Sequence, residues 1–226
     1  MGEMVKFVSN GSTDTGYLAT PDVGAGPGLI VIQEWWGLVD HIKDVCDRFA
    51  AEGFSALAPD LYRGQATTEP DEARKLVMSL DYERAARDLS GAVDHLTRHE
   101  SVRGQGVGVI GFCMGGGLAL WLATLRPDEV KAVASFYGIP RGVAQPDWSR
   151  MTAAVQGHFG EDDGSISPEQ VQALEAQLRE AGGEADMFLY PGSGHAFFND
   201  TRPAYNDDAA RQAWIRVLEF LRKHLG

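Results

Sequence analysis

The hydrophobic and polar positions of the chain follow two alternating patterns. Short apolar runs, such as 29–33 and 107–111, are typical of buried β-strands. Between Asp40 and Gly53, apolar residues recur instead every three or four positions, which predicts an amphipathic helix with a capping residue at one end and a stop at the other. Because strands and helices alternate in this way, the sequence predicts an α/β fold.

The other predicted elements continue this alternation to the end of the chain. Strands are predicted at 5–8, 16–19, 29–33, 54–58, 107–111, 131–137, 153–159 and 185–190, and helices at 40–53, 69–80, 83–99, 114–126, 168–181 and 206–224. The first two strands form a short antiparallel lead-in, and the others form a mostly parallel central sheet with helices on both faces. The irregular stretch 138–152 is expected to be a surface loop that borders the pocket. We expect one domain over residues 1–226.

Composition narrows the possible partners of the protein. The formal net charge of −12 disfavours binding to nucleic acid or to a membrane surface, although a local arginine can still attract an anionic substrate. No apolar run approaches the ~20 residues of a membrane span, and the first residues lack the features of a signal peptide. We therefore expect a cytoplasmic protein, a monomer, that acts on a small molecule.

Candidate chemistry begins at Gly111-Phe112-Cys113-Met114-Gly115-Gly116, between a predicted strand and a predicted helix. A strand, a sharp turn and a helix with a nucleophile at the apex form the G-x-S-x-G elbow, here with cysteine in place of serine. The alternative is a buried structural cysteine in a glycine-rich turn. The second cysteine, Cys46, lies on the apolar face of a predicted helix and is expected to be a packing residue, with no disulfide.

A cysteine nucleophile needs a base, and the contexts of the six histidines separate them. His195 follows the last predicted strand in a loop of small residues, where an imidazole can reach over a pocket, so we choose it as the base. His158 lies at the end of a strand. The remaining four lie on predicted helices and are expected at solvated positions: His41, His95, His99 and His224.

The acid that orients the histidine should lie after the preceding strand, in the turn 160–164. The fourth residue of a G-x-x-D turn points toward the histidine, which selects Asp163, with Asp162 as the alternative. A free thiol of pKa ~8.5 is only a few per cent ionised at neutral pH, and the N-terminus of the helix after Cys113 and the His195 imidazole would both favour the thiolate.

The predicted reaction is attack of the thiolate on an acyl carbon, followed by hydrolysis of a thioester. The oxyanion that forms is expected to accept hydrogen bonds from the backbone N–H groups of Trp35 and Met114. The sequence has no H-E-x-x-H, paired C-x-x-C or P-loop motif, so we predict no metal and no cofactor. The G-x-G-x-x-G string at 106–111 lies before and within a strand, which argues against a dinucleotide site.

With cysteine at the elbow, the chain resembles the dienelactone hydrolase family, the carboxymethylenebutenolidase-like α/β-hydrolases, from about residue 29 to 223. The shared motifs are Val31-Ile32-Gln33-Glu34 with Gly37, Pro59-Asp60-Leu61-Tyr62-Arg63-Gly64, the Cys113 elbow, Gly160-Glu161-Asp162-Asp163 and Gly194-His195-Ala196-Phe197. The resemblance implies an α/β-hydrolase fold and a triad of Cys113, His195 and Asp163.

The resemblance also implies roles that the residues alone do not show. Glu34 would contact the resting thiol and help to deprotonate it, and Arg63 would bind a substrate carboxylate. Trp36 and Phe197, together with Trp35, would form apolar walls. The alternatives are a solvated Glu34, a structural or surface Arg63, and ordinary core packing for the aromatic residues.

One position departs from the family pattern. Dienelactone-cleaving members can carry a second arginine four residues after the catalytic histidine, and this chain has Asn199 there, with Arg202 nearby. The expected function is therefore cysteine-dependent hydrolysis of dienelactone-type lactones or small esters. The alternatives are a general carboxylesterase or thioesterase, and a binding protein that keeps the hydrolase fold without turnover.

Overall fold

The computed structural model describes residues 2–9, 11–142 and 145–226. Val143 and Ala144, within the loop predicted at 138–152, lie outside the described residues. The strands are β1 (Glu3–Ser9), β2 (Ser12–Ala19), β3 (Gly26–Ile32), β4 (Ser55–Pro59), β5 (Val102–Phe112), β6 (Val130–Phe136), β7 (Ala154–Gly160) and β8 (Ala185–Tyr190). The α-helices are α1 (Asp40–Ala51), α2 (Pro70–Met78), α3 (Tyr82–Thr97), α4 (Met114–Leu125), α5 (Pro168–Glu180) and α6 (Asp207–Leu225).

The eight strands form one sheet in the order β1-β2-β4-β3-β5-β6-β7-β8. β1 pairs with β2 and β2 with β4 in antiparallel fashion, and the six strands from β4 to β8 run parallel. The mostly parallel sheet and its antiparallel lead-in are therefore confirmed. Long helical connections make parallel neighbours possible, because a parallel pair cannot be joined by a tight turn.

The side chains of β3 show how the sheet separates two cores. Leu29 and Val31 pack on the face that α1 and α6 cover, whereas Ile30 and Ile32 pack on the face that α3, α4 and α5 cover. All four side chains are fully buried. A strand that is buried on both faces has a continuous apolar run, which is the pattern that predicted it.

The start of β5 and the surroundings of the helical histidines differ from the sequence-based expectations: His95, His99 and His224 are half-buried, and His41 is buried. β5 begins at Val102 rather than at 107, because 102–106 contains glycines and polar residues that hide the strand pattern although Val102 pairs with Gly26. His41 was expected in solvent but is 4% exposed, and its Nδ1 lies 3.2 Å from Asp200 Oδ1. The first turn of α1 faces inward at His41, so that prediction was wrong.

The parallel strands bring their carboxyl ends to one edge of the sheet, where ligands bind in folds of this type. Four of the predicted functional residues follow four strands there: Glu34 after β3, Cys113 after β5, Asp163 after β7 and His195 after β8. Within the described ranges, no helix combines the length and apolar character that crossing a membrane requires.

Candidate active site

Cys113 stands at a sharp turn between β5 and α4. Its backbone has φ 55° and ψ −121°, a strained conformation for a residue with a side chain, and it directly precedes the first residue of α4. The strand, turn and helix predicted from the sequence are thus present. The turn places the thiol beside the N-terminus of α4, where the helix dipole favours an anion.

The glycines on either side of Cys113 are required by close packing. A Cβ at Gly111 would collide with the backbone of Gly115, and a Cβ at Gly115 would collide with the carbonyl groups of Ile32 and Gln33. The elbow therefore packs directly against the end of β3, which also carries Glu34. Any larger residue at these two positions would displace the nucleophile.

His195 and Asp163 form a close pair next to this turn. His195 Nδ1 lies 2.7 Å from Asp163 Oδ2, and the other carboxylate oxygen accepts hydrogen bonds from the backbone N–H groups of Ser165 at 2.7 Å and Ile166 at 3.2 Å. Asp163 is 6% exposed, whereas Asp162 is exposed to solvent. Of the two candidate acids, Asp163 is the one that the structure brings to the histidine.

The charges of this pair shift both pKa values. Burial alone would raise the pKa of Asp163, but the hydrogen bond and charge of His195 outweigh it, so the net pKa is lowered. Burial would also lower the pKa of His195, yet the interactions with Asp163 and Cys113 raise it to about 10. His195 Nδ1 donates to Asp163, which leaves Nε2 to interact with the Cys113 thiol.

Glu34 lies in the same region and is 1% exposed. Its Oε1 accepts a hydrogen bond from the Tyr137 hydroxyl at 3.2 Å, and its Oε2 accepts one from Asn199 Nδ2 at 2.8 Å. Burial and the nearby charges of Glu34 and Cys113 raise the pKa of Tyr137 well above its usual value. Tyr137 therefore lies close to both Glu34 and Cys113, and the solvated alternative for Glu34 does not hold.

These side chains open into a pocket of about 580 Å³. Its lining combines the candidate catalytic residues with apolar side chains and two arginines: Glu34, Trp35, Trp36, Val77, Tyr82, Cys113, Met114, Gly117, Leu118, Tyr137, Gly138, Ile139, Arg141, Ser165, Ile166, His195, Ala196, Arg202, Pro203 and Ala204. A mostly apolar pocket with a few convergent polar groups is typical of a small-molecule site.

The two predicted oxyanion donors both lie at this pocket. Met114 is the first residue of α4, and Trp35 follows the end of β3 by three positions. Among the described residues, neither backbone N–H donates a hydrogen bond to the protein. An oxyanion hole requires N–H groups that are free to donate at the reacting atom, and these two residues line the same pocket as Cys113.

A larger and more open groove of about 1120 Å³ runs along α3, but it contains none of the predicted site residues. The candidate active site is the smaller pocket, because Cys113 and His195 both line it. Within the part of the chain that the structure describes, no group of three or more His, Cys, Asp or Glu residues is arranged to hold a metal ion.

The structure does not bring Arg63 into the pocket, contrary to the sequence-based expectation. Its guanidinium lies 3.4 Å from Asp14 and 3.6 Å from Asp88, two carboxylates that are almost completely buried. Burial and the charge of Asp14 raise the pKa of Asp88, and Arg63 opposes that shift. Arg63 thus compensates buried negative charge, which corresponds to the structural alternative.

Phe197 also lies outside the pocket lining. It is fully buried and packs against the rings of Tyr137 and Tyr190, with centroids 5.6 Å and 4.9 Å away. Phe197 is therefore a core residue and not part of the pocket wall. Trp35 and Trp36 do line the pocket, in edge-to-face contact at 4.9 Å.

Two other arginines, Arg202 and Arg141, line the pocket. The Arg202 guanidinium lies 3.6 Å from the centre of the Trp36 ring, and its buried Nε has no hydrogen-bond partner in the described ranges. Arg141 lines the pocket and donates to the backbone oxygen of Ser165. Arg141 and Tyr137 were not singled out from the sequence, although both follow β6, whose carboxyl end lies at the same edge of the sheet as the nucleophile.

Comparison with known proteins points to one family. The profile of the dienelactone hydrolase family matches residues 15–225. A protein of Synechocystis sp. that is named as a predicted carboxymethylenebutenolidase is 39% identical over 93% of this chain and 92% of its own length. Protein usf of Aquifex pyrophilus is 36% identical over the full length of both chains. The crystal structure of a predicted dienelactone hydrolase from Klebsiella pneumoniae superposes with a TM-score of 0.89 at 29% identity, covering 99% of each chain.

Proposed function

Because the chain belongs to the dienelactone hydrolase family and is a hydrolase of esters or lactones, we propose that Cys113 is its nucleophile and that it cleaves dienelactone-type lactones or small esters through a thioester. The observation that carries the proposal is the shared pocket. A strained cysteine at the start of a helix meets a histidine whose other nitrogen is bound to a buried carboxylate.

The first half of the reaction forms the acyl-enzyme. Cys113 Sγ attacks the carbonyl carbon, and the N–H groups of Trp35 and Met114 stabilise the oxyanion. The carbon–oxygen bond of the ester or lactone then breaks. His195, whose raised pKa keeps it protonated at neutral pH, gives its proton to the departing oxygen.

The second half returns the enzyme to its starting state. His195, now neutral, accepts a proton from a water molecule that attacks the thioester carbon. The carbon–sulfur bond breaks, the carboxylic acid leaves and the Cys113 thiolate is restored beside the imidazolium. A thiolate is readily expelled from a tetrahedral intermediate, so this site suits esters and lactones with good leaving groups better than amides.

The positive charges of the pocket favour a substrate that carries a carboxylate. The Arg202 guanidinium lies over the Trp36 ring, its buried Nε has no hydrogen-bond partner among the described residues, and Arg141 lies on the same pocket lining. Guanidinium groups bind carboxylates well. The name of the Synechocystis relative, carboxymethylenebutenolidase, describes such a lactone. We therefore assign carboxylate recognition to Arg202 and Arg141 instead of Arg63.

The test is steady-state hydrolysis of cis- and trans-dienelactone beside a neutral aryl ester, for the wild type and Cys113→Ala. We expect lactone cleavage to exceed ester cleavage and to disappear in the variant. Ester cleavage with little lactone cleavage would assign a general carboxylesterase that uses the same triad. Turnover that survives Cys113→Ala undiminished would exclude the cysteine mechanism, and no turnover of either substrate would favour a binding protein.

Arg202→Ala and Arg63→Ala are a matched pair for the substrate assignment. Loss of Arg202 should raise KM for the carboxylate-bearing lactone by about 10- to 100-fold and leave KM for the neutral ester nearly unchanged, since a hydrogen bond to a charged group contributes about 1.5–3 kcal/mol. Loss of Arg63 should lower the free energy of unfolding. It should change KM only slightly, and to the same extent for the lactone and for the neutral ester. A selective KM effect in Arg63→Ala would contradict this assignment.

A further inference from the structure

Asn199 occupies a buried position between the substrate pocket and a backbone turn. It is 1% exposed, and its Nδ2 donates to Glu34 Oε2 at 2.8 Å. Its Oδ1 accepts from the backbone N–H of Thr201 at 3.0 Å and from the Thr201 hydroxyl at 2.6 Å. The amide therefore connects Glu34 to the backbone of the turn at 199–201.

The chemistry of the partners fixes the orientation of this amide. An N–H group can only donate, so Thr201 requires the oxygen of Asn199 on its side. The NH₂ group then faces Glu34, which accepts it as a carboxylate. Neither an apolar residue nor a second carboxylate could serve both partners, because the site needs an acceptor at one end and a donor at the other.

The hydrogen-bond partners of Glu34 are uncharged. Besides Asn199, the Tyr137 hydroxyl donates to its other oxygen at 3.2 Å, and no cation forms an ion pair with Glu34 in the described part of the chain. Two neutral donors, one on each oxygen, fix the direction of the Glu34 side chain. Glu34, Tyr137 and Cys113 line the same pocket, so the carboxyl group lies where the thiol would react.

We infer that Asn199 is a positioning residue for the thiol chemistry: it holds the Glu34 carboxylate in place beside Cys113 by a neutral hydrogen bond. This inference rests on the proposed cysteine mechanism. Asn199 does not line the pocket, whereas its partner Glu34 does. Its effect on the reaction must therefore pass through Glu34.

A double-mutant cycle between Asn199→Ala and Glu34→Gln tests this dependence. In the wild-type background, Asn199→Ala should lower kcat by about 10- to 100-fold with little change in KM, the range expected for a lost hydrogen bond to a buried charge. In the Glu34→Gln background, the same substitution should lower kcat by less than about threefold. Equal losses in both backgrounds would show that Asn199 does not act through Glu34 and would overturn the inference.

Two further variants separate an effect on the reaction from a general loss of stability. Tyr137→Phe keeps the ring and removes only the other donor to Glu34, so it should also lower kcat in the wild-type background and much less in the Glu34→Gln background. Val217→Ala removes buried volume on α6 outside the pocket, so it should lower Tm without lowering kcat. A loss of kcat in Val217→Ala that matched that of Asn199→Ala would assign Asn199 a merely structural role.

The pH dependence of alkylation gives an independent readout. Cys113 is partly exposed whereas Cys46 is fully buried, so iodoacetamide should report on Cys113. Asn199→Ala and Glu34→Gln should move the pH profile of the alkylation rate in the same direction, and Val217→Ala should leave it unmoved. Opposite movements would overturn the inference. Turnover that persists in Cys113→Ala would instead defeat the underlying mechanism, so the two failures can be told apart.

Discussion

His158 and His195 come from neighbouring parts of the sheet and illustrate two uses of the same side chain. His158 belongs to β7, and His195 follows the adjacent strand β8. Burial lowers the pKa in both cases, yet the pKa of His158 falls to about 3 while that of His195 rises to about 10. Burial alone therefore does not determine the charge of a histidine in this protein.

The partners account for the difference. The nitrogens of His158 lie 2.8 Å from the Tyr190 hydroxyl and 2.9 Å from Gln156 Oε1, so the neutral imidazole satisfies both, and the charge of Arg216 adds to the effect of burial. His195 instead has a carboxylate at 2.7 Å and a thiol nearby. Uncharged hydrogen-bond partners keep the buried His158 neutral, whereas the carboxylate of Asp163 favours a protonated His195 beside the Cys113 thiol.

The largest effect is expected from removing the charged histidine. His195→Ala should reduce kcat/KM by about 1,000-fold or more, because the proposed mechanism routes both proton transfers through this residue. Its Tm should change by only a few degrees, because the side chain lines an open pocket and is partly exposed. Steady-state kinetics and calorimetry on the same preparation check this. If His158→Phe lowered kcat/KM as much as His195→Ala does, at an equal folded fraction, the two histidines would not differ in their roles.

Asp163→Asn should have the next largest effect. It removes the carboxylate that raises the pKa of His195, so kcat/KM should fall by about 100- to 10,000-fold. Activity that requires the imidazolium is lost as pH rises through the pKa of His195, about 10 in the wild type. The alkaline limb of the pH profile should therefore move to lower pH in the variant. An alkaline limb that stays in place would show that Asp163 does not control His195.

Replacing His158, the buried histidine, should change the free energy of unfolding and its dependence on pH. The pKa of His158 is lowered from 6.5 to about 3, so the unfolded state binds the proton first and its contribution to stability is lost as pH falls from 6.5 toward 3. His158→Phe should cost about 1–3 kcal/mol at pH 7, because the hydroxyl of Tyr190 and the amide of Gln156 lose their partner. Urea unfolding should show this cost shrinking at pH 4. If the loss of unfolding free energy in His158→Phe were larger at pH 4 than at pH 7, the pKa of His158 would be raised in the folded protein instead of lowered.

Arg216→Met should have the smallest effect. Its guanidinium lies 4.3 Å from the centre of the Phe188 ring and 5.3 Å from that of Tyr190, so the loss is expected to be about 0.5–1 kcal/mol. Burial remains the larger cause of the low pKa of His158, which should stay neutral at pH 7 in the variant. NMR titration of the imidazole checks this. A histidine that became protonated near pH 6 would mean that Arg216 outweighs burial.

The sequence predicted most of the fold because strands buried on both faces leave unmistakable apolar runs. It also predicted the residues whose surroundings are local: the elbow glycines around Cys113, the small-residue loop before His195 and the turn that contains Asp163. In each case, the backbone conformation that the function needs is visible in neighbouring residues.

The contacts that the sequence did not predict join distant segments. Arg63 was expected at the substrate because its motif resembles that of the family. Its partners Asp14 and Asp88 come from β2 and α3, and only the folded chain brings their carboxylates to the guanidinium. His41 was expected in solvent because its helix is amphipathic, and its partner Asp200 lies 159 residues away. Long-range charge pairing has no periodic signal in a sequence.

The most direct test of the account is mass spectrometry of the intact protein after rapid acid quenching of the reaction with dienelactone. The lactone ring opens without losing an atom, so the acyl-enzyme should be heavier than the free enzyme by the mass of one lactone, with the adduct on the peptide that contains Cys113. Cys113→Ala should show neither adduct nor turnover. Rapid turnover without any adduct on Cys113, or turnover that persists in Cys113→Ala, would contradict the cysteine mechanism.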